Sequence, residues 1–415
     1  MQNKKPELLC PARDLETLRT AVHYGADAVY IGHETFSLRA GAHNFSWEEM
    51  EEAVAFCHAR GKKVYVTANI FAHNRDLAPA EAFFERLEAI RPDAVLISDP
   101  GFFRIAMERC PSVEKHISTQ ANTCNAAAFR FWRDLGASRV VCAREMGLQE
   151  IREVHEAVPD IEIEAFVHGA MCVSYSGRCL LSASMAGRSA NSGACAHPCR
   201  WNYALMEEKR PGEYMPVEED ARGTYIMNSR DLCMIHRLPD LIDAGVGSLK
   251  IEGRMKNALY VATTARAYRT ALDDACADPE LYKKRVPEYL DEIRRCTYRP
   301  YSTGFYDGRP NEDSILYDSC DYIHGAVYLG IAEEAGEEGV LLTQRNKFSA
   351  GDTIEVMKAD GRTLLLTVSA IYREDGSPAE SAPHPKEHLR VRLTGEGADE
   401  ITAGDVLRSA ANNES

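Results

Sequence analysis

"DLETLRTAVHYGADAVYIG", residues 14–32, decides the fold. A helical pattern stops at a glycine turn, and a short apolar run follows at once. That order reads as helix, turn and buried strand. "SWEEMEEAVAFCHARG" (46–61) repeats the helix, with Met50, Val54 and Cys57 on one face. Ser46 and Glu49 form a capping box, and Gly61 stops the helix.

The rhythm runs through the first 260 residues or so. Eight strand candidates appear: "ELLCPA", "DAVYIG", "KVYVTAN", "DAVLISD", "KHISTQ", "SRVVCAR", "IEAFVHG" and "SLKIEG". Eight β–α units in roughly 250 residues predict an α/β fold, a TIM-like (β/α)8 barrel. An open doubly wound sheet is the alternative, because strand order is not written in one sequence. No G-x-G-x-x-G follows the first strand, which weakens a dinucleotide-binding reading.

Between strands 7 and 8 lies a cysteine-rich insertion of about 75 residues, far above ordinary loop length. "GTYIMNSRDLCMIHRLPDLIDAG" re-enters the core through a strand and a helix, and Cys233 is read as core packing on an apolar helical face. Residues 1–300 are assigned to the barrel, with the cysteine loop at about 170–200. The turn-rich "YRPYSTGFYDGRPNEDS" opens a linker over 301–321. Residues 322–410 carry short alternating strands, "GAVYLGIAEE", "GVLLTQ", "DTIEVMK", "TLLLTVSAIY" and "HLRVRL", and predict a small C-terminal antiparallel β-barrel. "FSAGDTIEV" and "ITAGDVLRS" use one glycine–aspartate turn twice.

The chain has 415 residues, a formal charge of −15 and 13 cysteines. No run approaches the eighteen or so apolar residues of a membrane span. The N-terminus lacks a signal peptide's apolar core. The expectation is a cytoplasmic protein with reduced thiols and no membrane partner. The acidic balance excludes non-specific coating of nucleic acid but not a local basic face.

Cys172, Cys179, Cys195 and Cys199 fall within 28 residues, among glycines that permit sharp bends, Gly177, Gly187 and Gly193. Only "CAHPC" is a tight pair. Structural zinc prefers two tight pairs, whereas iron–sulfur clusters accept wider spacing. The spacing favours a cluster and leaves zinc as the alternative.

In a barrel, the strand ends carry the site. Those ends hold Asn69, Gln120, Asn122, Arg144, Glu145, His168, Lys250, Glu252 and Arg254. Such a cavity suits a small carboxylate, with Arg144, Lys250 and Arg254 as its binders. Arg178 and Arg200, beside the cysteines, face substrate or phosphate. Glu145, His168 and Glu252 are the candidates for proton transfer. No H-E-x-x-H, H-x-x-E-H or G-x-S-x-G motif occurs.

"EAFVHGAMCVSYSGRCLLS" (164–182) resembles the signature of the collagenase-like peptidase family, peptidase family U-thirty-two. The likeness continues through "YGADAVYIG", "STQAN", "SLKIEGR" and "NKFSAGDTIEV". "RPGEYM" followed by "GTYIMNSRDL" resembles its tRNA hydroxylation branch. The resemblance implies prephenate-dependent formation of 5-hydroxyuridine at the tRNA wobble position. It also implies a [4Fe-4S] cluster on Cys172, Cys179, Cys195 and Cys199, with tRNA and prephenate as partners and the small barrel helping to grip tRNA. Sister branches imply ribosomal RNA hydroxylation as an alternative. A peptidase and a zinc-stabilised RNA-binding protein are the further alternatives, and a partner protein or homo-oligomer stays open.

Overall fold

The computed structural model describes residues 5–38, 44–172, 174–175, 179, 181–200, 204–205, 215–216, 228–308, 315–316 and 323–410. Seven strands run in parallel order: Glu7–Pro11 (β1), Ala28–Gly32 (β2), Lys63–Ala68 (β3), Ala94–Ile97 (β4), Glu114–Ile117 (β5), Arg139–Val141 (β6) and Glu162–Ala170 (β7). The eighth, Val246–Ile251, pairs with β7 on one side and β1 on the other, which closes the ring. Every strand expected from the sequence is present. Both faces of such strands are covered, so they read as unbroken apolar runs rather than alternating ones; all five residues of β2 are buried.

Local signals work as their chemistry requires. Helix Trp47–His58 starts at the Ser46–Glu49 capping box, and Gly61 beyond its end has φ +65°. Gly25, between helix Leu15–His23 and β2, has φ +97°, a conformation costly for any side chain.

The insertion adds to the ring without breaking it. The end of β7 pairs antiparallel with Asp231–Cys233, which pairs in parallel with Tyr301–Ser302. Cys233 is buried, but on a strand opposite His168 rather than on a helical face. Pairing with β7 imposes the extended conformation that a short apolar run cannot declare by itself. Ala204–Leu205 and Met215–Pro216 form a short antiparallel pair within the polar middle of the insertion.

Two compact units divide the chain: Met1–Leu15, Asp27–Met255 and Arg299–Tyr322 in one, Glu16–Ala26, Lys256–Tyr298 and Ile323–Ser415 in the other. This differs from a boundary at 300. Residues 301–321, read as linker, fall within the Arg299–Tyr322 part of the first unit, where Tyr301–Ser302 joins the sheet. Helices Ala258–Ala277 and Pro279–Ile293 belong to the second. There Glu292 holds Arg266 at 2.6 Å and Arg408 at 2.9 Å, a charge cluster no linear boundary reveals.

The second unit contains a closed antiparallel barrel of six strands, its ring sealed by pairing of Thr353–Met357 with Thr363–Arg373. Five were legible in the sequence. The sixth, Val406–Ser409, follows the second glycine–aspartate turn. The two turns match: Asp352 accepts from the Ser349 N–H and Asp405 from the Thr402 N–H, each at 2.8 Å. Gly351 and Gly404 sit at φ +94° and +97°.

Candidate active site

The floor of the first barrel is ionic. Arg139 contacts Glu7 at 2.7 Å, Glu162 at 2.7 Å and Glu164 at 3.1 Å. Tyr65 donates to Glu7 at 2.6 Å, and Lys250 donates to Glu164 at 2.6 Å. Burial pushes the Glu164 carboxyl upward, but the Lys250 ammonium and Arg139 guanidinium outweigh it and hold the group below its ordinary value. His116, wholly buried beside this layer, is held below its ordinary value by loss of solvent.

Above the floor, at the C-terminal ends of the strands, opens a cavity of about 450 Å³ counted with its mouth. Asn69, Gln120, Arg144, Lys250, Glu252 and Arg254 all line it, with Tyr30, Thr67, Ser118, Thr119 and Phe166 among the rest. Asn69 donates to Ser118 at 3.3 Å and to Gln120 at 3.4 Å, and accepts from the Leu38 N–H at 3.2 Å. Gln120 Oε1 also accepts from Ser118 at 2.6 Å and Ser98 at 3.4 Å, which fixes the amide's rotation.

The three cations differ. Lys250 is committed to Glu164 and lies 4.5 Å from the Tyr30 ring centroid. Arg254 is buried and donates to Ser37 at 2.6 Å, Thr67 at 2.9 Å and Asn44 at 2.7 Å, tying a loop to the end of β3. It passes Gly32 so closely that a Cβ there would lie 2.4 Å from Nη2. Arg144 stacks on Phe166 at 4.0 Å. It donates to the Ala170 carbonyl at 3.3 Å and approaches Glu252 only to 3.7 Å. Its Nε is buried with no hydrogen-bond partner among the described residues. Arg144 therefore keeps donor capacity for a ligand.

Glu145, His168 and Asn122 do not line the cavity. The His168 ring packs beside Tyr301, 5.4 Å between centroids. Asn122 takes a left-handed conformation with a buried Oδ1 that has no partner among the described residues. Arg178 and the Arg200 side chain lie outside the described residues. Thr67 and Ser118 were missed by sequence reasoning. Each sits two residues before a residue singled out, Asn69 or Gln120, so strand parity would have found them. Ser37 and Asn44 lie in a loop and carry no such signal.

The cysteine segment is tied to the loop after β3: the Phe71 N–H donates to the Asn191 carbonyl at 3.4 Å, and Asn191 Oδ1 accepts from the Cys179 N–H at 3.2 Å. Ser182, fully buried, accepts from the Ala196 N–H at 2.9 Å, which draws the two halves of the segment together. Gly187 and Gly193 have positive φ, as the bends require; Gly177 lies outside the described residues. Cys172 is exposed, and Cys179, Cys195 and Cys199 are half-buried. The Cys179 sulfur accepts from the Leu181 N–H at 3.3 Å and Cys195 from the His197 N–H at 3.4 Å. Such bonds stabilise negative sulfur, so the chemistry of these donors, though not their spacing here, suits a thiolate-held centre. Among the described residues, no three His, Cys, Asp or Glu side chains are gathered closely enough to hold a metal ion. The core thiols contrast: burial pushes Cys57 and Cys142 up to about 12 and Cys110 to about 11. Among the described residues, no helix is long and apolar enough to cross a membrane.

The sequence profile of Peptidase family U32 matches residues 13–316, and that of the Peptidase family U32 C-terminal domain matches residues 324–408. The chain belongs to this family. It is 40% identical over 393 residues to tRNA hydroxylation protein P1 of Bacillus subtilis (strain 168), covering 94% of this chain and 92% of that one. Identity to tRNA hydroxylation protein P of Escherichia coli (strain K12) is 39% over 421 residues, covering 91% and 92%. The 23S rRNA 5-hydroxycytidine C2501 synthase of Escherichia coli (strain K12) is 40% identical over 321 residues, 76% of this chain and 47% of that protein.

Proposed function

We propose that this chain is an RNA-hydroxylating enzyme acting on tRNA, forming 5-hydroxyuridine at the wobble position with prephenate as co-substrate. The observation that carries the reading is Arg144, a half-buried arginine whose buried Nε is an uncommitted donor, in a mouth built of fixed amides and hydroxyls. The likeness to tRNA hydroxylation proteins over nine-tenths of both chains supports the RNA class.

In this reading Arg144 binds a carboxylate of the co-substrate, and Phe166 packs beneath the guanidinium. Asn69 and Gln120 orient the ligand through amides that cannot rotate freely. Arg254 builds the wall, and Lys250 supports it through Glu164. Glu252, the one carboxylate lining the cavity, holds or accepts a proton. Cys172, Cys179, Cys195 and Cys199 would hold a [4Fe-4S] cluster. When bound, such a cluster supplies electron transfer beside the mouth. A pyrimidine in an anticodon loop is already partly unstacked, which lowers the cost of presenting it.

The test is mass spectrometry of nucleosides from total tRNA of a strain lacking this chain, complemented with wild type, Arg144→Ala or Cys179→Ala. Loss of 5-hydroxyuridine, restored by wild type alone, is expected. An unchanged tRNA profile with a changed ribosomal RNA digest moves the activity to ribosomal RNA, the second reading, which the 40% identity to the 23S rRNA synthase favours. Iron and sulfide after anaerobic purification support the cluster; one zinc per chain overturns it.

A further inference from the structure

Residues 165–206 contain no Asp or Glu, in a chain that carries 63 of them. The same stretch carries Arg178, Arg188 and Arg200. An acid-free run of this length on a chain of charge −15 is a local departure from the whole. Its described part is tied to the loop after β3, the loop that carries the cavity residue Asn69. Asn191 ties it to Phe71, two residues beyond Asn69, and Ser182 closes it on itself. Arg188 is exposed, with its Nε on the Ala194 carbonyl and its backbone N–H on Ser182. Tyr175 is 51% exposed and Met185 42% exposed. Burial, with Cys124 of the loop after β5 nearby, pushes the Tyr175 phenol up to about 12.

We propose that this cysteine segment is also the RNA-docking surface, with Arg188 meeting phosphate and Tyr175 and Met185 offering apolar faces to unstacked bases. The proposal rests on the RNA reading above. Charge complementarity selects the occupant: a polyanion is favoured by a segment that carries arginines and no carboxylate of its own, and single-stranded RNA adds bases that stack on exposed aromatics. It places the RNA where the chemistry is, at the mouth of the cavity. It also moves the grip away from the second barrel, which the sequence reading had favoured. Residues 323–410 carry nine Lys and Arg against fifteen Asp and Glu, and "AEEAGEEG" forms an acidic hairpin on that barrel.

The test uses the full-length protein, purified anaerobically, and an unmodified tRNA transcript followed by fluorescence anisotropy across a salt series. Arg188→Glu is expected to weaken binding about tenfold at 0.1 M salt and to flatten the salt dependence by about one unit of slope. Tyr175→Ala weakens binding about tenfold with the slope unchanged, because stacking is not ionic. Ser184→Lys, exposed on the short helix Leu181–Ala186 that precedes Arg188, tightens binding about threefold and steepens the slope, a gain that misfolding does not mimic. Arg392→Glu on the second barrel leaves binding unchanged. Iron and sulfide per chain, measured on every variant, separate docking from loss of the metal centre. Wild-type affinity and slope in both Arg188→Glu and Ser184→Lys overturn the proposal, as does a surface that captures an acidic protein while tRNA affinity stays at wild type. If these shifts appear while nucleoside analysis shows no hydroxylation, the docking surface stands and the enzymatic reading falls.

Discussion

The floor and the mouth of the first barrel use the same residue types to opposite ends. On the floor, Arg139, Lys250, Glu7 and Glu164 satisfy one another within 3.1 Å. At the mouth, Arg144 stands 3.7 Å from the Glu252 carboxylate, with a buried nitrogen unmatched among the described residues. Charges that complete each other make a scaffold, and a charge left incomplete in a rigid frame makes a binding site. The frame matters as much as the charge, because the amides of Asn69 and Gln120 are locked by neighbours before any ligand arrives.

The strongest way to break this contrast is to empty the floor. Glu164→Gln leaves Lys250 buried without its carboxylate and is expected to cost about 3–5 kcal/mol of stability, read by denaturant unfolding. A stability equal to wild type would mean that the floor is not a scaffold. Arg144→Ala sharpens the contrast from the other side. Its stability should stay within about 1 kcal/mol of wild type, while the co-substrate concentration for half-maximal activity rises about 100-fold. Parallel losses of stability and activity would place Arg144 with the floor.

Acidification tests the floor by comparing wild type with a floor variant. Below pH 6.5 an unfolded chain protonates His116 readily, whereas burial lowers its affinity for protons in the fold. Stability therefore falls as pH drops through that value. Glu164 is likewise lowered, so its contribution is present above about 4.5 and disappears on further acidification. Thermal midpoints from pH 8 to pH 3 should decline in those two stages, and Glu164→Gln should show a smaller second decline, the remainder coming from Glu292 and Asp405, whose carboxyls are also held low. The smallest effect lies outside both regions: Ser46→Ala removes a helix cap and costs about 1 kcal/mol with no change in ligand affinity.

The first barrel was legible because every strand after β1 follows a helix and a turn, and because two-sided burial writes an apolar run directly into sequence. Asn69, Gln120 and Arg144 were legible by position alone, at strand ends. The commitment of Lys250 was not. Its partner Glu164 lies 86 positions away on the neighbouring strand, and only ring closure brings them together. Arg254 was read as a carboxylate binder for the same reason, since Ser37 and Asn44 reach it from an irregular loop. Val406–Ser409 escaped notice because a four-residue strand after a turn has too little length to show a period.

Arg254 and Gly32 form a single heritable character. The arginine crosses the end of β2 where no Cβ fits, so Gly32→Ala acts on Arg254 rather than on β2. A lineage that changed either residue first would cross a poorly fit intermediate. The pair is therefore expected to persist or to vanish together, and the penalties of the two single substitutions should overlap in the double variant instead of adding.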